Sequence, residues 1–194
     1  MSFDFRVVEG KEENDVRIVV SALAVSNGKL LFIKRGENPK RGYYSFPEGH
    51  LKAGEDPLQG LARECEEEVG CGVEAFGGKS LILEGPSNVA LPDDYLERSW
   101  PPKGNRVGGH VYRVVETSSL RAEEPVEQMS KMYIYMPCKL AGEPRITSAA
   151  LEVLFLTPQE VLELRAKRAI KVMPTTSVVL ALIEAGFFEI AHLR

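Results

Sequence analysis

The feature that most constrains this chain is a helix signal that begins at Asp56 and Pro57 and carries a cluster of carboxylates. Asp56 is suited to the N-cap, and Pro57 occupies the first helical position, where its missing N–H costs nothing. Gly70 and Gly72 end the helix. The apolar residues that recur at helical spacing are Leu58, Leu61, Ala62, Cys65 and Val69. They predict a single buried stripe that packs on a core.

The carboxylates of this helix gather on the side opposite the apolar stripe. At about 100° per residue, Glu64, Glu67 and Glu68 fall within one face. Arg63 flanks that face, and Glu55 ends the preceding loop within reach of it. Crowded carboxylates raise each other's pKa unless a cation lies between them, and a hard divalent ion supplies that charge. The chemistry that this arrangement favours is hydrolysis of a phosphoanhydride.

Two simpler interpretations of these glutamates compete with a metal site. Runs of Glu on a helix are commonly a solvated face, and Arg63 with its neighbours is consistent with a surface ion-pair network. The complete spacing decides between them. From Gly49 to Cys71 the order is Gly, five residues, Glu, seven residues, Arg-Glu, Cys, one residue, Glu-Glu, one residue, Gly and Cys. This pattern resembles the signature of the Nudix hydrolases, where the two Cys positions are usually aliphatic.

The resemblance implies an α/β fold, a Nudix-type α/β/α sandwich around a mixed sheet. Arg63 would orient the glutamates by ion pairing, and Glu55 would support the site. The chain departs from the family at Glu48, the residue directly before Gly49, where Gly or Ala is commoner. The implied ligands for Mg²⁺, with Mn²⁺ as a substitute, are the carboxylates of Glu64, Glu67 and Glu68 and the backbone carbonyl of Glu48.

Other segments complete the predicted domain, which spans residues 1–194. Asn27-Gly28 predicts a two-residue hairpin, because both residues tolerate positive φ. Residues 85–109 are rich in Pro and Gly and are interpreted as an insertion, either a functional lid or a flexible loop. Helices are expected over residues 158–169 and 176–185. The predicted strands are residues 16–25, 30–34, 43–46, 80–84, 111–115, 132–136 and 153–156.

Composition limits the partners and the compartment. Lys plus Arg total 24 and Asp plus Glu total 28, for a net charge of −4. A mildly acidic chain argues against a broad polycationic surface, so neither a nucleic acid nor a membrane is the expected partner. The N-terminus lacks the apolar core of a signal peptide, and three cysteines make an odd count without zinc spacing. We expect a cytoplasmic protein with a small-molecule nucleotide substrate; a homodimer stays open.

The broad pattern resembles hydrolases of ADP-ribose and nucleotide sugars, which favours the pyrophosphate bond of a nucleoside diphosphate linked to another group. One alternative is an RNA 5′-end pyrophosphohydrolase or decapping enzyme, motivated by a basic run from Arg165 to Lys171. Another is a housecleaning pyrophosphatase of nucleoside triphosphates. A third is a non-catalytic nucleotide-sensing module, although such modules commonly have a degraded signature.

Residues outside the signature are candidates for substrate contacts and for a distal catalytic base. Each also has a simpler interpretation, since a tyrosine on a strand is usually half-buried and glutamates in a loop are usually solvated. The candidate substrate-binding residues are Tyr44, Arg35, Trp100 and Arg106. The candidate distal bases are Glu124, Glu127 and Glu152.

Overall fold

A computed structural model describes residues 17–38, 40–52, 54–86, 91–120, 130–191 and 193. Its strands are β1 (Arg17–Ser26), β2 (Lys29–Arg35), β3 (Tyr44–Ser45), β4 (Glu48–His50), β5 (Val73–Ala75), β6 (Lys79–Pro86), β7 (Arg106–Val107), β8 (His110–Glu116), β9 (Ser130–Leu140) and β10 (Ala150–Leu156). Its α-helices are α1 (Pro57–Val69), α2 (Tyr95–Ser99), α3 (Pro158–Ala166) and α4 (Pro174–Glu184). No described helix is long and apolar enough to cross a membrane.

The strands form one mixed sheet in the order β10-β2-β1-β9-β6-β8-β7. The strands β3, β4 and β5 pair beside this path with β2, β1 and β9. β1 runs parallel to β9, whereas β6 runs antiparallel to it, so the sheet is mixed as predicted. The hairpin at Asn27 and Gly28 also forms, with φ of 50° and 71°.

Alternating residues of β1 divide the interior into two apolar layers. Val20 and Ala22 belong to the layer that contains Cys65 of α1. Leu23 faces the other layer, which contains Val161 of α3 and residues 178–180 of α4. Side chains alternate across a strand, so both faces of the sheet are covered. The α/β/α sandwich is therefore confirmed.

The ends of α1 are fixed by local hydrogen bonds. The Asp56 carboxylate accepts from the backbone N–H groups of Leu58 and Gln59, each at 2.9 Å, and the Gln59 side chain accepts from the Asp56 N–H at 3.1 Å. Gly70 closes the helix with φ of 62°. The predicted stripe is wrong at Leu58, which is 45% exposed, because α1 turns Pro57, Leu61, Cys65 and Val69 inward and leaves Leu58 beside that buried face.

Removing the α1 cap should destabilise the protein. Asp56→Ala is expected to lower the free energy of unfolding by about 1 kcal/mol, since two backbone donors lose their acceptor. Urea denaturation followed by circular dichroism measures the change. Asp56→Asn keeps a capping oxygen and should recover most of the loss. Equal losses in the two variants would contradict the assignment of this cap.

The segment 91–109 contains structure that the interpretation as a lid or flexible loop did not anticipate. It forms α2 and β7, and its Tyr95 side chain is buried. The Tyr95 hydroxyl donates to the Val107 carbonyl at 2.9 Å and lies 2.6 Å from Nδ1 of His110. Elements this short leave little periodicity in a sequence. The described part of this segment is therefore packed against the sheet.

Candidate active site

The site is built where β4 leads into the loop before α1. β4 lies antiparallel to β1, with Glu48 opposite Ser21 and Gly49 opposite Val20. A Cβ placed on Gly49 would lie 1.9 Å from Cδ of Glu64. A glycine at this position therefore lets the Glu64 carboxylate pack directly on the backbone of β4. Its side chain is 12% exposed.

Arg63 joins the acidic groups of the site. Its Nε and Nη2 donate to the two carboxylate oxygens of Glu55 at 2.6 and 2.9 Å, and its Nη1 donates to Glu64 Oε1 at 2.6 Å. Nη2 also donates to the backbone carbonyl of His50 at 2.9 Å. Hydrogen bonding from Arg63 lowers the pKa of Glu55, and Glu55 in turn raises the pKa of Arg63. These contacts are consistent with the predicted orienting role.

Glu68 is the carboxylate of the site whose pKa is most clearly displaced. Its Oε2 accepts from the backbone N–H of Glu48 at 2.9 Å. Burial raises the pKa of Glu68 to about 8, and the nearby charges of Glu48 and Glu64 add to this rise. A carboxylate in these surroundings gains from a nearby cation or a proton.

Glu67 points outward from the same helix. Its side chain is 53% exposed, and its Oε1 lies 3.4 Å from Nη1 of Arg63 and 3.6 Å from Nζ of Lys52. In the described part of the chain, no three His, Cys, Asp or Glu side chains are arranged to hold a metal ion. Arg63 forms ion pairs with both Glu64 and Glu67.

The chemistry of the donors nevertheless fits a hard divalent cation. Mg²⁺ and Mn²⁺ favour oxygen ligands and complete their shells with water and phosphate oxygens. The three carboxylates on α1 and the carbonyl groups of the adjacent β4 offer only oxygen atoms as ligands. Burial and the neighbouring negative charges raise the pKa of Glu68, so a bound cation would stabilise its ionised form. The residues that would hold it are Glu64, Glu67 and Glu68 and the carbonyl of Glu48.

Comparison with known families identifies the arrangement. The model of the NUDIX domain family matches residues 15–175. The chain belongs to this family. The signature of the family lies on α1 and the loop that precedes it.

Two solved structures share the fold of this chain at low sequence identity. A NUDIX hydrolase from Nitrosomonas europaea is 15% identical, with a TM-score of 0.52, 93% of this chain covered and 96% of that one. The MutT protein from Methanosarcina mazei Go1 is 14% identical, with a TM-score of 0.52 and coverage of 92% and 100%. At these identities the two structures show the Nudix fold alone.

A curated relative shares part of the sequence. The "ADP-ribose pyrophosphatase" of Methanocaldococcus jannaschii is 34% identical over 53 residues, which is 27% of this chain. The match spans 31% of that relative's length.

Two candidates outside the Nudix signature contact each other. The Tyr44 hydroxyl donates to Oε2 of Glu152 at 2.6 Å, which joins β3 to β10 across β2. Lys34 lies 3.7 Å from the same oxygen. Burial and the Glu152 carboxylate raise the pKa of Tyr44 to about 12. Roles for this pair in substrate binding or base catalysis stay predictions.

The remaining candidates are spread across the Nudix fold. Nη1 of Arg35 lies 3.9 Å from Oε1 of Glu48, next to the signature. Trp100 packs edge-on against Phe187, with ring centroids 6.4 Å apart. Arg106 is exposed on β7, four strands from β1, which is about 19 Å at ordinary strand spacing. Glu124 and Glu127 lie outside the described residues.

Sequence reasoning missed several polar residues beside the signature. Ser21 is buried opposite Glu48, Tyr135 is buried opposite Ser21, and the Thr175 side chain is hydrogen-bonded to Tyr135. The sequence held two hints of buried polar groups: Ser21 interrupts an otherwise apolar strand, and two threonines follow Pro174. Neither signal pointed to its partner, because pairing of β1 with β9 joins segments more than a hundred residues apart.

The displaced pKa of Glu68 gives a testable dependence on pH in the metal-free protein. The folded pKa of about 8 lies above the ordinary 4.5, so between these values the folded state holds a proton that the unfolded state has lost. Stability should therefore fall as pH rises through this window, by at most about 1.4 kcal/mol per pH unit for one group. Urea denaturation between pH 5 and 8 measures the slope.

The Glu68→Gln variant provides the comparison for this effect. It should show a flatter decline, because its amide does not titrate. Added Mg²⁺ should raise the stability of the unsubstituted protein more at pH 8 than at pH 6, since the ion competes with the proton. Parallel curves for the two proteins would refute the assignment to Glu68.

Proposed function

We propose that this Nudix enzyme hydrolyses the pyrophosphate bond of a nucleoside diphosphate linked to another group, with Mg²⁺ as the cation and ADP-ribose as the favoured substrate. The observation that carries the proposal is the placement of Glu64 against Gly49, with Arg63 joining it to Glu55. The protein's own contacts hold this carboxylate in one orientation. Preorganised charge of this kind is a large part of enzymatic catalysis.

The residues of the signature have separate tasks in this proposal. When bound, the divalent cation would offset the charge on the diphosphate oxygens and lower the pKa of a water molecule. Gly49 leaves space for Glu64, and Arg63 fixes its direction. The backbone N–H of Glu48 holds Glu68. In this proposal the carboxylates bind an anionic substrate through the cations that they hold. Such a site needs no basic surface, which agrees with the chain's net charge of −4.

ADP-ribose is favoured because of the partial match to the ADP-ribose pyrophosphatase of Methanocaldococcus jannaschii. Two of the four basic residues in the run that motivated RNA as a substrate form ion pairs within the chain. Arg165 donates to both carboxylate oxygens of Glu97, and Lys167 lies 3.9 Å from Glu163. These pairs leave less positive charge for an RNA backbone, so we retain the small-molecule substrate.

A substrate panel tests the proposal. Phosphate-containing products would be followed with ADP-ribose, nucleotide sugars, NADH, dinucleoside polyphosphates, 8-oxo-dGTP and 5′-triphosphate RNA, each with Mg²⁺ or Mn²⁺. We expect ADP-ribose or a nucleotide sugar to give the highest kcat/KM. Higher kcat/KM on 5′-triphosphate RNA or on 8-oxo-dGTP would contradict the substrate assignment.

A further inference from the structure

A surface cleft lies away from the signature, in the layer that covers the other face of the sheet from α1. Its walls come from α2, from the end of α3 and from the segment between α3 and α4. Apolar residues of all three pack in the layer of Val161 rather than in that of Cys65. The cleft has a volume of about 530 Å³, which is within the range of cavities that hold small ligands. The charged residues that line it are Asp93, Asp94, Glu97, Arg165, Arg168 and Lys171.

Each carboxylate that lines this cleft already has a cation from the protein. The ion pairs are Asp93 with Lys40, Asp94 with Arg98 and Glu97 with Arg165. Asp93 also accepts from the Tyr43 hydroxyl at 2.7 Å. Hydrogen bonds from Lys40 and Tyr43 lower the pKa of Asp93, so it is ionised and fully used within the protein. The negative charges of the cleft are therefore offset.

Arg168 and Lys171 are cations of the same cleft that lack such a partner. Neither forms an ion pair with a carboxylate in the described part of the chain. Lys171 lies with its Nζ 5.6 Å from the centroid of the Tyr43 ring and acts on Asp93 only from longer range. Both residues are exposed. Because the three ion pairs are neutral, the cleft has a surplus of two positive charges.

The backbone around the cleft also favours a role for its basic side chains. Three of the described residues other than glycine have positive φ, and one of them, Asn27, belongs to the hairpin. The other two are Lys40, at 67°, and Arg168, at 57°. Arg168 directly follows the C-cap residue of α3, a position that glycine usually occupies. Unfavourable backbone conformations of this kind concentrate at functional sites.

A phosphate monoester is the ligand that matches these cations. It carries close to two negative charges at neutral pH and has three acceptor oxygens. Arginine donates to phosphate through two parallel N–H groups, and lysine adds a compact charge. The cleft is larger than a phosphate group alone, and Ala166 and Ile170 add apolar surface to its wall. A small organic phosphate therefore suits the cleft in both charge and size.

We propose that this cleft binds the phosphate of a small phosphomonoester, such as a nucleoside 5′-monophosphate, through Arg168 and Lys171. The site supplies its own cations and so needs no divalent ion, in contrast to the carboxylate face of α1. It lies in the layer on the other face of the sheet from α1, and it does not depend on which substrate the signature cleaves.

Calorimetric titration of the full chain in EDTA tests this site without involving a divalent metal. We expect AMP and inorganic phosphate to bind, and adenosine, which has no phosphate, not to bind. Arg168→Gly and Lys171→Gln should each raise the Kd for AMP about tenfold, since a charged hydrogen bond is lost. Lys167→Gln is the matched control, because Lys167 pairs with Glu163 and does not line the cleft. It should leave the Kd unchanged within about twofold.

Arg168→Gly also separates loss of binding from loss of folding. Glycine adopts a φ of 57° without strain, so this variant should unfold at the same temperature as the unsubstituted protein or at a higher one. Weaker binding of AMP at undiminished thermal stability would then assign the loss to the Arg168 side chain. Weaker binding that accompanies a lower unfolding temperature in both cleft variants would assign it to folding and would overturn the proposal.

Three further results would overturn the proposal. One is the same Kd for AMP in the unsubstituted protein and in both cleft variants, or no binding of AMP at all. Another is binding that Glu64→Gln abolishes, which would place AMP at the signature. The third is a 5′-phosphorylated RNA that binds more than about tenfold tighter than AMP and loses this advantage in Lys171→Gln, which would assign the cleft to nucleic acid. A protein that hydrolyses nothing but binds AMP in EDTA would keep this site and lose the proposed function.

Discussion

Glu64→Gln is expected to lower kcat on ADP-ribose by about 10²–10³-fold, with little change in stability. The substitution keeps the size and shape of the side chain that packs against Gly49. It removes one negative charge from the centre of the site, where Arg63 lies 2.6 Å away. An amide oxygen is a weaker ligand for a hard cation than a carboxylate, so the loss should appear in kcat and in the Mg²⁺ concentration required.

Glu66→Gln is the matched control for this substitution. Glu66 lies on the same helix, two residues further on, and is exposed. The variant should retain activity within about twofold, as expected for a surface substitution. Full activity in Glu64→Gln, or equal losses in the two variants, would remove Glu64 from the site.

Arg63 variants should lose both activity and stability. Arg63→Ala would leave Glu55 and Glu64 without the cation that bonds them at 2.6 Å each. Since these side chains are largely buried, we expect a loss of about 2–3 kcal/mol in the free energy of unfolding. Activity should fall at least tenfold, because the direction of Glu64 is no longer fixed.

Arg63→Lys tests whether charge alone is sufficient. Arg63 bonds Glu55, Glu64 and the His50 carbonyl through three different nitrogens, a geometry that a single ammonium does not reproduce. We therefore expect Lys to recover only a minor part of the activity. Arg98→Ala, at an arginine whose side chain is 68% exposed, should change stability by less than about 0.5 kcal/mol. Full activity in Arg63→Lys would show that Arg63 acts through charge alone.

The parts of the fold that could be predicted from the sequence depend on local physics. The cap at Asp56, the end of α1 at Gly70 and the hairpin at Asn27 follow from backbone preferences of single residues, and all three form. The exposed position of Leu58 could not be predicted, since helical periodicity does not fix the rotation of α1 about its own axis closely enough to decide which residues at the margin of the stripe are buried.

The candidate site also has a part that could be predicted from local sequence and a part that depends on how distant strands pair. The positions of Glu64, Glu67 and Glu68 on one helix are visible in the spacing of the signature. The contact between Tyr44 and Glu152 is not, because it spans 108 residues and depends on how β3 and β10 flank β2. The buried neighbours of Glu48 likewise depend on strand pairing between β4, β1 and β9, which the separate segments do not encode on their own.

The central claim is that the carboxylate face of α1 supports cation-dependent cleavage of a diphosphate bond. The most direct measurement is chromatographic identification of the products of ADP-ribose with Mg²⁺, with EDTA, and with Mg²⁺ and Glu64→Gln. We predict AMP and ribose 5-phosphate from the unsubstituted protein with Mg²⁺, and almost none under the other two conditions. Equal product formation with EDTA, or with Glu64→Gln, would contradict the claim.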